Sequence, residues 1–238
     1  MSTAGVRRVV AFNWPKYAGA AALAVGAAAF SGRLPALPRR AVRAGAALGA
    51  AWTATSLAAS WWVYDRSSLY DGEWLRPLLP ARTHRYAVVT TGLDEASAVL
   101  GNVLPTPPTL VLDCFGDTAT GSIRRAHTAD AGWPCHHDAL PVRAGALDAV
   151  VTVLAAHELR RPAQRAALFA EAYRVLRPGG RLVVVEHPRN AATIAAFGPG
   201  AWHFFPRRDW LRHSGSAGLA LVAERALTPF VRGWAFRR

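Results

Sequence analysis

The sequence predicts an α/β protein built on a doubly wound, mostly parallel sheet and preceded by a hydrophobic helical hairpin. Three observations carry this reading. Residues 147–187 read as a buried strand, an amphipathic helix, an Arg-Pro-Gly-Gly stop and a second buried strand. From residue 84 onward, strand-like and helix-like runs alternate, which argues for parallel strands joined by helical crossovers. Residues 17–32 and 44–64 carry no charge, and the second run reaches the roughly 20 residues needed to cross a bilayer.

The first uncharged run, YAGAAALAVGAAAFSG, is short and consists mostly of Ala and Gly. The second ends in Trp61, Trp62 and Tyr64, residue types that favour the membrane interface. Between them, SGRLPALPRRAVR reads as a Pro-broken basic connector. Residues 1–65 are therefore expected to be a membrane-associated hairpin with a transmembrane helix. A surface-lying helical pair and a cleaved export signal are the alternatives, and the orientation is open. Residues 66–83 turn charged and Pro-bearing and read as a linker to a domain spanning 84–238.

Within that domain, Tyr86–Thr90 is a β-rich run followed by Gly92, and Asp94–Leu104 is helix-compatible up to Pro105. Thr109–Cys114 is a second strand and Gly121–Ala129 a short helix. A loop through Trp133 and Pro134 leads to Cys135–Ala139, and strand Asp148–Leu154 follows. Helix Pro162–Leu176 opens on a proline suited to a first turn. It places Leu168, Phe169, Ala172, Val175 and Leu176 on one face. Pro178, Gly179 and Gly180 stop it ahead of strand Arg181–Glu186, and Leu219–Ala226 and Phe230–Phe236 close the chain as a hairpin.

The net charge of +13 is almost all arginine, since Lys16 is the only lysine. Residues 1–83 hold ten basic and three acidic residues, against eighteen and twelve in 84–238. The charge is scattered and densest near the N-terminus, which favours a membrane surface as partner over nucleic acid. Cys114 and Cys135 are the only cysteines. Two are too few for a disulfide framework and point to a reducing compartment.

Polar residues stand where the two central strands end: His157 and Glu158 after the first, Glu186 and His187 after the second. Ligands of open α/β sheets bind at the carboxyl ends of strands. These four are the candidate catalytic residues, able to take a proton from an attacking atom; capping the next helix is the plainer alternative. Cys135-His136-His137-Asp138 resembles a metal cluster only on paper. Successive strand residues face opposite sides and no second ligand group has metal spacing, so no metal is expected. A glycine-rich dinucleotide fingerprint is absent.

RVLRPGGRLVVVEH (174–187) and DALPVRAGALDAVVTVLAAHEL (138–159) resemble class I S-adenosylmethionine-dependent methyltransferases of the type 11 kind. The resemblance covers roughly 84–238. It implies a Rossmann-like, doubly wound, mostly parallel seven-stranded sheet with an antiparallel C-terminal hairpin, and S-adenosylmethionine as cofactor. The first strand and turn are then YAVVTTGLDEAS and the second strand TLVLDC, because starting at TLVLDC leaves too few residues before Asp138. Asp113 follows Gly92 by 21 residues, near the ~20-residue spacing of a ribose-binding acid. The implied cofactor residues are Gly92, Asp94, Asp113, Asp138 and Ala155, with Asp138 toward the adenine. The insertion FGPGAWHFFPRRDWL (197–211) offers Phe197, Trp202, His203 and Phe204 as a substrate-covering pocket. The function expected is methyl transfer to a small amphiphilic or lipid-like acceptor, by a catalytic domain in the cytoplasm at a membrane. The turn after the first strand holds one glycine where the family usually has three. A membrane-tethered methyltransferase-like binding or scaffold protein is therefore the alternative.

Overall fold

The computed structural model describes residues 3–116, 119–128 and 132–238. The chain divides into two compact units, Met1–Arg66 with Ala191–Ala201, and Ser67–Asn190 with Trp202–Arg238.

The first unit contains α1 (Ala4–Ser31) and α2 (Ala36–Trp61), 28 and 26 residues long and packed on each other. The amide N–H groups of Gly5 and Val6 donate to the Asp65 carboxylate at 2.8 Å each. That acid satisfies donors a helix start leaves open and complements its dipole. A helical hairpin forms, but the transmembrane expectation is corrected. Among the described residues, no helix is long and apolar enough to cross a membrane. The uncharged runs are dominated by Ala and Gly, whose side chains contribute little hydropathy. The helices also extend past them to take in Arg7, Arg8, Lys16, Arg39, Arg40 and Arg43. The expected connector shrinks accordingly, with α1 running through Pro15 and α2 beginning directly after Pro35.

The second unit is a seven-stranded sheet of β1 (Tyr86–Thr90), β2 (Leu110–Asp113), β3 (Trp133–Pro134), β4 (Leu147–Val153), β5 (Leu176–Glu186), β6 (Ala220–Thr228) and β7 (Val231–Arg237). Their spatial order is β3-β2-β1-β4-β5-β7-β6, with β7 antiparallel to both neighbours and the remaining pairs parallel. The order reverses between β1 and β4, which creates the crevice where doubly wound sheets bind ligands.

The connections are uneven. Helix α3 (Ser97–Gly101) is a single turn rather than the expected Asp94–Leu104, because Asp94 Oδ1 accepts from Ala96 N and Ser97 N at 2.9 Å each. That acid makes a turn, not a helix interior. Helix α4 (Gly121–Ala126) is capped by Thr120, and its expected end at Ala129 lies outside the described residues. Strand β3 holds only Trp133 and Pro134, so Cys135–Ala139 is a turn beyond it, closed by a bridge between His136 and Ala139. Helix α5 (Pro162–Val175) buries Leu168, Phe169, Ala172 and Val175 as the periodicity predicts, and Arg165 as well. After β5 the chain enters the first unit as α6 (Ala191–Phe197), where Thr55 Oγ1 donates to Ala196 O at 2.8 Å. It resumes the second unit with α7 (Arg207–Ser216). Phe169, Trp210, Trp234 and Phe236 pack against Leu112, Val150 and Val184 to form the core.

At the amino end of the sheet, the buried Asp148 carboxylate accepts from His84 N and Arg85 N at 2.8 Å each and pairs with Arg177 Nε at 2.6 Å. Burial alone would raise its pKa, but these donors outweigh it and hold the acid below the usual carboxylate range. A depressed folded-state pKa contributes stability above the unfolded value of about 4, lost as pH falls through the folded one. Asp148→Asn is expected to cost about 1–3 kcal/mol at pH 7 and to flatten the stability profile below about pH 4. Urea titrations across pH 2–7 read both effects.

Candidate functional site

The carboxyl ends of β1 and β2 meet at Asp113. Its Oδ1 accepts from Gly92 N at 2.7 Å, Thr90 Oγ1 at 3.1 Å and Phe115 N at 3.1 Å. Parallel pairing sets Thr90 opposite Asp113 and brings the turn after β1 onto this acid. Gly92 has φ +103°, and a Cβ there would lie 2.7 Å from the Phe115 ring. Only glycine fits this close approach without strain. Gly92→Val is expected to cost about 1–3 kcal/mol through backbone strain, visible as a lowered midpoint in thermal unfolding.

Phe115 and His127 stack with centroids 4.0 Å apart and planes 2° from parallel. His127 Nε2 lies 3.5 Å from Asp113 Oδ2. The adjoining pocket is lined by Thr91, Cys114, Phe115, Ala119, Glu158 and Leu159, so the ends of β1 and β2 and the turn after β4 face one small space of about 10 Å³, enough for a single water. Phe115, one of its lining residues, carries the His127 ring stacked on it.

The turn after β4 is strained. Leu154, at φ +51°, is the one non-glycine residue with positive φ among the described residues; such outliers concentrate at functional sites. Ala155 is buried, and its carbonyl accepts from Thr91 Oγ1 at 2.9 Å, tying β4 to β1. A 3₁₀ turn, Ala156–Glu158, then presents His157 and Glu158.

All four expected catalytic residues are brought together and buried. Parallel pairing of β4 with β5 sets Val153 beside Val185, so the residues that follow each strand converge. His157 donates its backbone N–H to Glu186 Oε1 at 3.0 Å, and its Nδ1 lies 2.7 Å from Glu186 Oε2. Glu158 Oε1 lies 3.5 Å from His157 Nε2 and 3.2 Å from His203 Nε2, while Oε2 accepts from Thr120 N at 3.3 Å. His187 Nδ1 donates to Phe230 O at 2.6 Å, and the Phe204 ring packs 4.8 Å from the His187 ring. Arg160 Nη1 donates to the carbonyls of His157 and His203 at 2.7 Å each, joining the two segments that carry the imidazoles.

Burial presses on every group here. It would lower the His157 pKa, but the carboxylates of Glu186 and Glu158 prevail and raise it. Burial would likewise raise Glu158, yet His203 and His157 hold it at about 2. His187 has a backbone carbonyl as its partner and is pushed down to about 4 by burial. His203 is also lowered, by burial first. The site thus combines an ionised carboxylate with imidazoles of opposed proton affinity, the pattern of acid–base chemistry.

The remaining expected residues are dispersed. Asp94 spends Oδ1 on the α3 turn. Asp138 sits in the exposed turn beyond β3, paired with His136, whose hydrogen bond lowers its pKa. Trp202 is exposed, with Arg189 over its ring at 5.8 Å. Phe197 ends α6 in the first unit. Sequence reasoning missed Phe115, His127, Thr120 and Arg160. Only Thr120 carried a usable signal, as a Thr ahead of a short helix.

Comparison with known proteins matches residues 117–184 to the family model described as "Methyltransferase domain". No curated protein matches the chain. Among solved structures, an S-adenosylmethionine-dependent methyltransferase from Aquifex aeolicus is 13% identical with a TM-score of 0.52, covering 71% of this chain and 90% of that one. A possible histamine N-methyltransferase from Thermotoga maritima is 15% identical with a TM-score of 0.50, covering 75% and 93%. Geranyl diphosphate C-methyltransferase from Streptomyces coelicolor is 16% identical with a TM-score of 0.50, covering 70% and 78%. At these identities the structures speak to fold. Residues 117–184 are thus similar to a methyltransferase domain, and the second unit shares the seven-stranded fold of these solved methyltransferases.

Proposed function

We propose that the protein is an S-adenosylmethionine-dependent methyltransferase whose cofactor lies across the carboxyl ends of β1, β2 and β4. The contact of Gly92 N with Asp113 Oδ1 at 2.7 Å carries this reading, because it sets a Cβ-free turn and a carboxylate side by side at the switch point. S-adenosylmethionine supplies a methyl group activated on a sulfonium centre. Gly92 and Ala155 give it backbone, and Asp113 turns Oδ2 toward the ribose once Phe115 and His127 swing aside. His157, Glu158, His187 and His203 face the acceptor, bind its nucleophilic atom and take up its proton, while Glu186 holds the His157 ring in place. Holding donor and acceptor in line supplies roughly 7–11 kcal/mol of barrier reduction. Phe204, packed against the rings of His157, His187 and His203, gives the acceptor side an apolar surface suited to a small amphiphilic molecule.

The narrow pocket favours one second reading, a methyltransferase-like domain that no longer admits cofactor. A thermal-shift panel separates the two. S-adenosylhomocysteine at about 100 times its Kd is expected to stabilise the protein by about 2.7 kcal/mol, while NAD leaves it unchanged. No shift with any adenosine cofactor supports the second reading.

A further inference from the structure

We infer that His157 Nε2, Glu158 Oε1 and His203 Nε2 form a binding site for one divalent transition-metal ion, zinc being the first candidate. The three atoms lie within 4.8 Å of one another, with Glu158 Oε1 at 3.5 Å from one imidazole nitrogen and 3.2 Å from the other. Ligands held at about 2.0–2.1 Å from a tetrahedral ion stand about 3.3 Å apart. Two of the three edges already match, and the third needs only a small movement of His203, the most exposed of the three.

The surroundings are those of a metal ligand set. The Nδ1 of His157 faces the Glu186 carboxylate at 2.7 Å, the carboxylate–histidine support that fixes a ring with its other nitrogen toward the ion. Thr120 N holds the second oxygen of Glu158, leaving the first directed at both imidazoles. Arg160 fixes the two ligand-bearing segments by their carbonyls.

Charge points the same way. Glu158 and Glu186 are 6% and 0% exposed, and among the described residues their ion-pair partners are histidines. The two buried carboxylates have the Arg160 guanidinium within electrostatic reach, but it spends Nη1 on the backbone carbonyls of His157 and His203, and a dication bound directly by Glu158 would offset the cost of their burial. Two histidines and one glutamate leave a fourth position open, as in catalytic zinc sites. This deepens the proposed function: the open position would receive an oxygen or nitrogen of the acceptor and favour its deprotonated form, the proton leaving to solvent because the metal occupies the ligand atoms of His157, Glu158 and His203. It departs from the sequence expectation of no metal, which rests on Cys135–Asp138.

The test uses untagged full-length protein, stripped with chelator and titrated with Zn²⁺ or Co²⁺, with bound metal counted by elemental analysis. One equivalent is expected, with the visible spectrum of four-coordinate Co²⁺. His203→Ala and Glu158→Gln should each lose it while keeping the native circular dichroism. His203→Asn serves if the alanine variant does not fold. Glu186→Gln should bind about 10–100-fold more weakly. The double variant His136→Ala/His137→Ala, at the exposed cluster His136-His137-Asp138, should retain the equivalent. No metal above background overturns the inference, as does metal that survives His203→Ala and Glu158→Gln or disappears with the His136/His137 variant. S-adenosylhomocysteine binding is measured on the same samples. Cofactor binding without metal rejects the metal site alone, and metal without cofactor rejects the methyltransferase reading alone.

Discussion

Glu186→Ala is expected to be the most damaging single substitution in the site, lowering turnover by about 10²–10⁴-fold and stability by about 3–5 kcal/mol. The carboxylate is fully buried at the end of β5 and accepts both the backbone N–H and Nδ1 of His157. Without it, a buried amide and a buried imidazole lose their acceptor together. The His157 ring then loses its orientation toward Glu158 and the acceptor. For a chain of this size the loss corresponds to a midpoint lower by on the order of 10 °C. Glu186→Gln separates structure from chemistry. It keeps one oxygen for one of the two His157 donors and should recover part of the stability while leaving turnover impaired. Recovery of both would mean that the carboxylate charge has no functional part.

Asp113→Ala is expected to reduce affinity for S-adenosylhomocysteine by about 100-fold, equivalent to about 3 kcal/mol. One carboxylate oxygen holds Thr90, Gly92 and Phe115 at once, so alanine removes a ligand for the ribose and the brace of the turn that approaches the cofactor. Asp113→Asn keeps one carbonyl oxygen for Gly92 N and should lie between wild type and alanine. The two effects differ in readout. A lost brace lowers the unfolding midpoint without ligand, whereas a lost ribose contact appears only in ligand affinity. Affinity unchanged in both variants would place the ribose elsewhere.

The central unit was legible because its signals are long and redundant. β4 and the Leu182–Val185 end of β5 are buried and largely apolar, and α5 has a proline at its start and a regular buried face; the helix ends at Val175, and the expected Pro178-Gly179-Gly180 stop lies within the first part of β5. His157 and Glu186 could be brought near each other on paper because β4 and β5 are sequential parallel neighbours. Their direct hydrogen bond could not, since it depends on the strained turn at Leu154. Three further features carry weak or misleading signals. The N-terminal helices run through Pro15 and into the basic connector, and their alanine content mimics a membrane span by lack of charge rather than by hydropathy. Asp94 shortens α3 by capping within an otherwise helical pattern. The aromatic insertion reads as one continuous element, yet Phe197 belongs to the first unit and Trp202 to Phe204 to the second. No change of composition marks that crossing. The Phe115–His127 stack over Gly92 joins residues from two different loops, and nothing local announces it.

The small pocket makes cofactor binding the central claim. Isothermal calorimetry of the full-length wild-type protein with S-adenosylhomocysteine tests it most directly. The account predicts saturable one-to-one binding, with affinity falling about 100-fold in Asp113→Ala. An absence of binding heat at every temperature tried, with ligand carried to millimolar concentration, would contradict it.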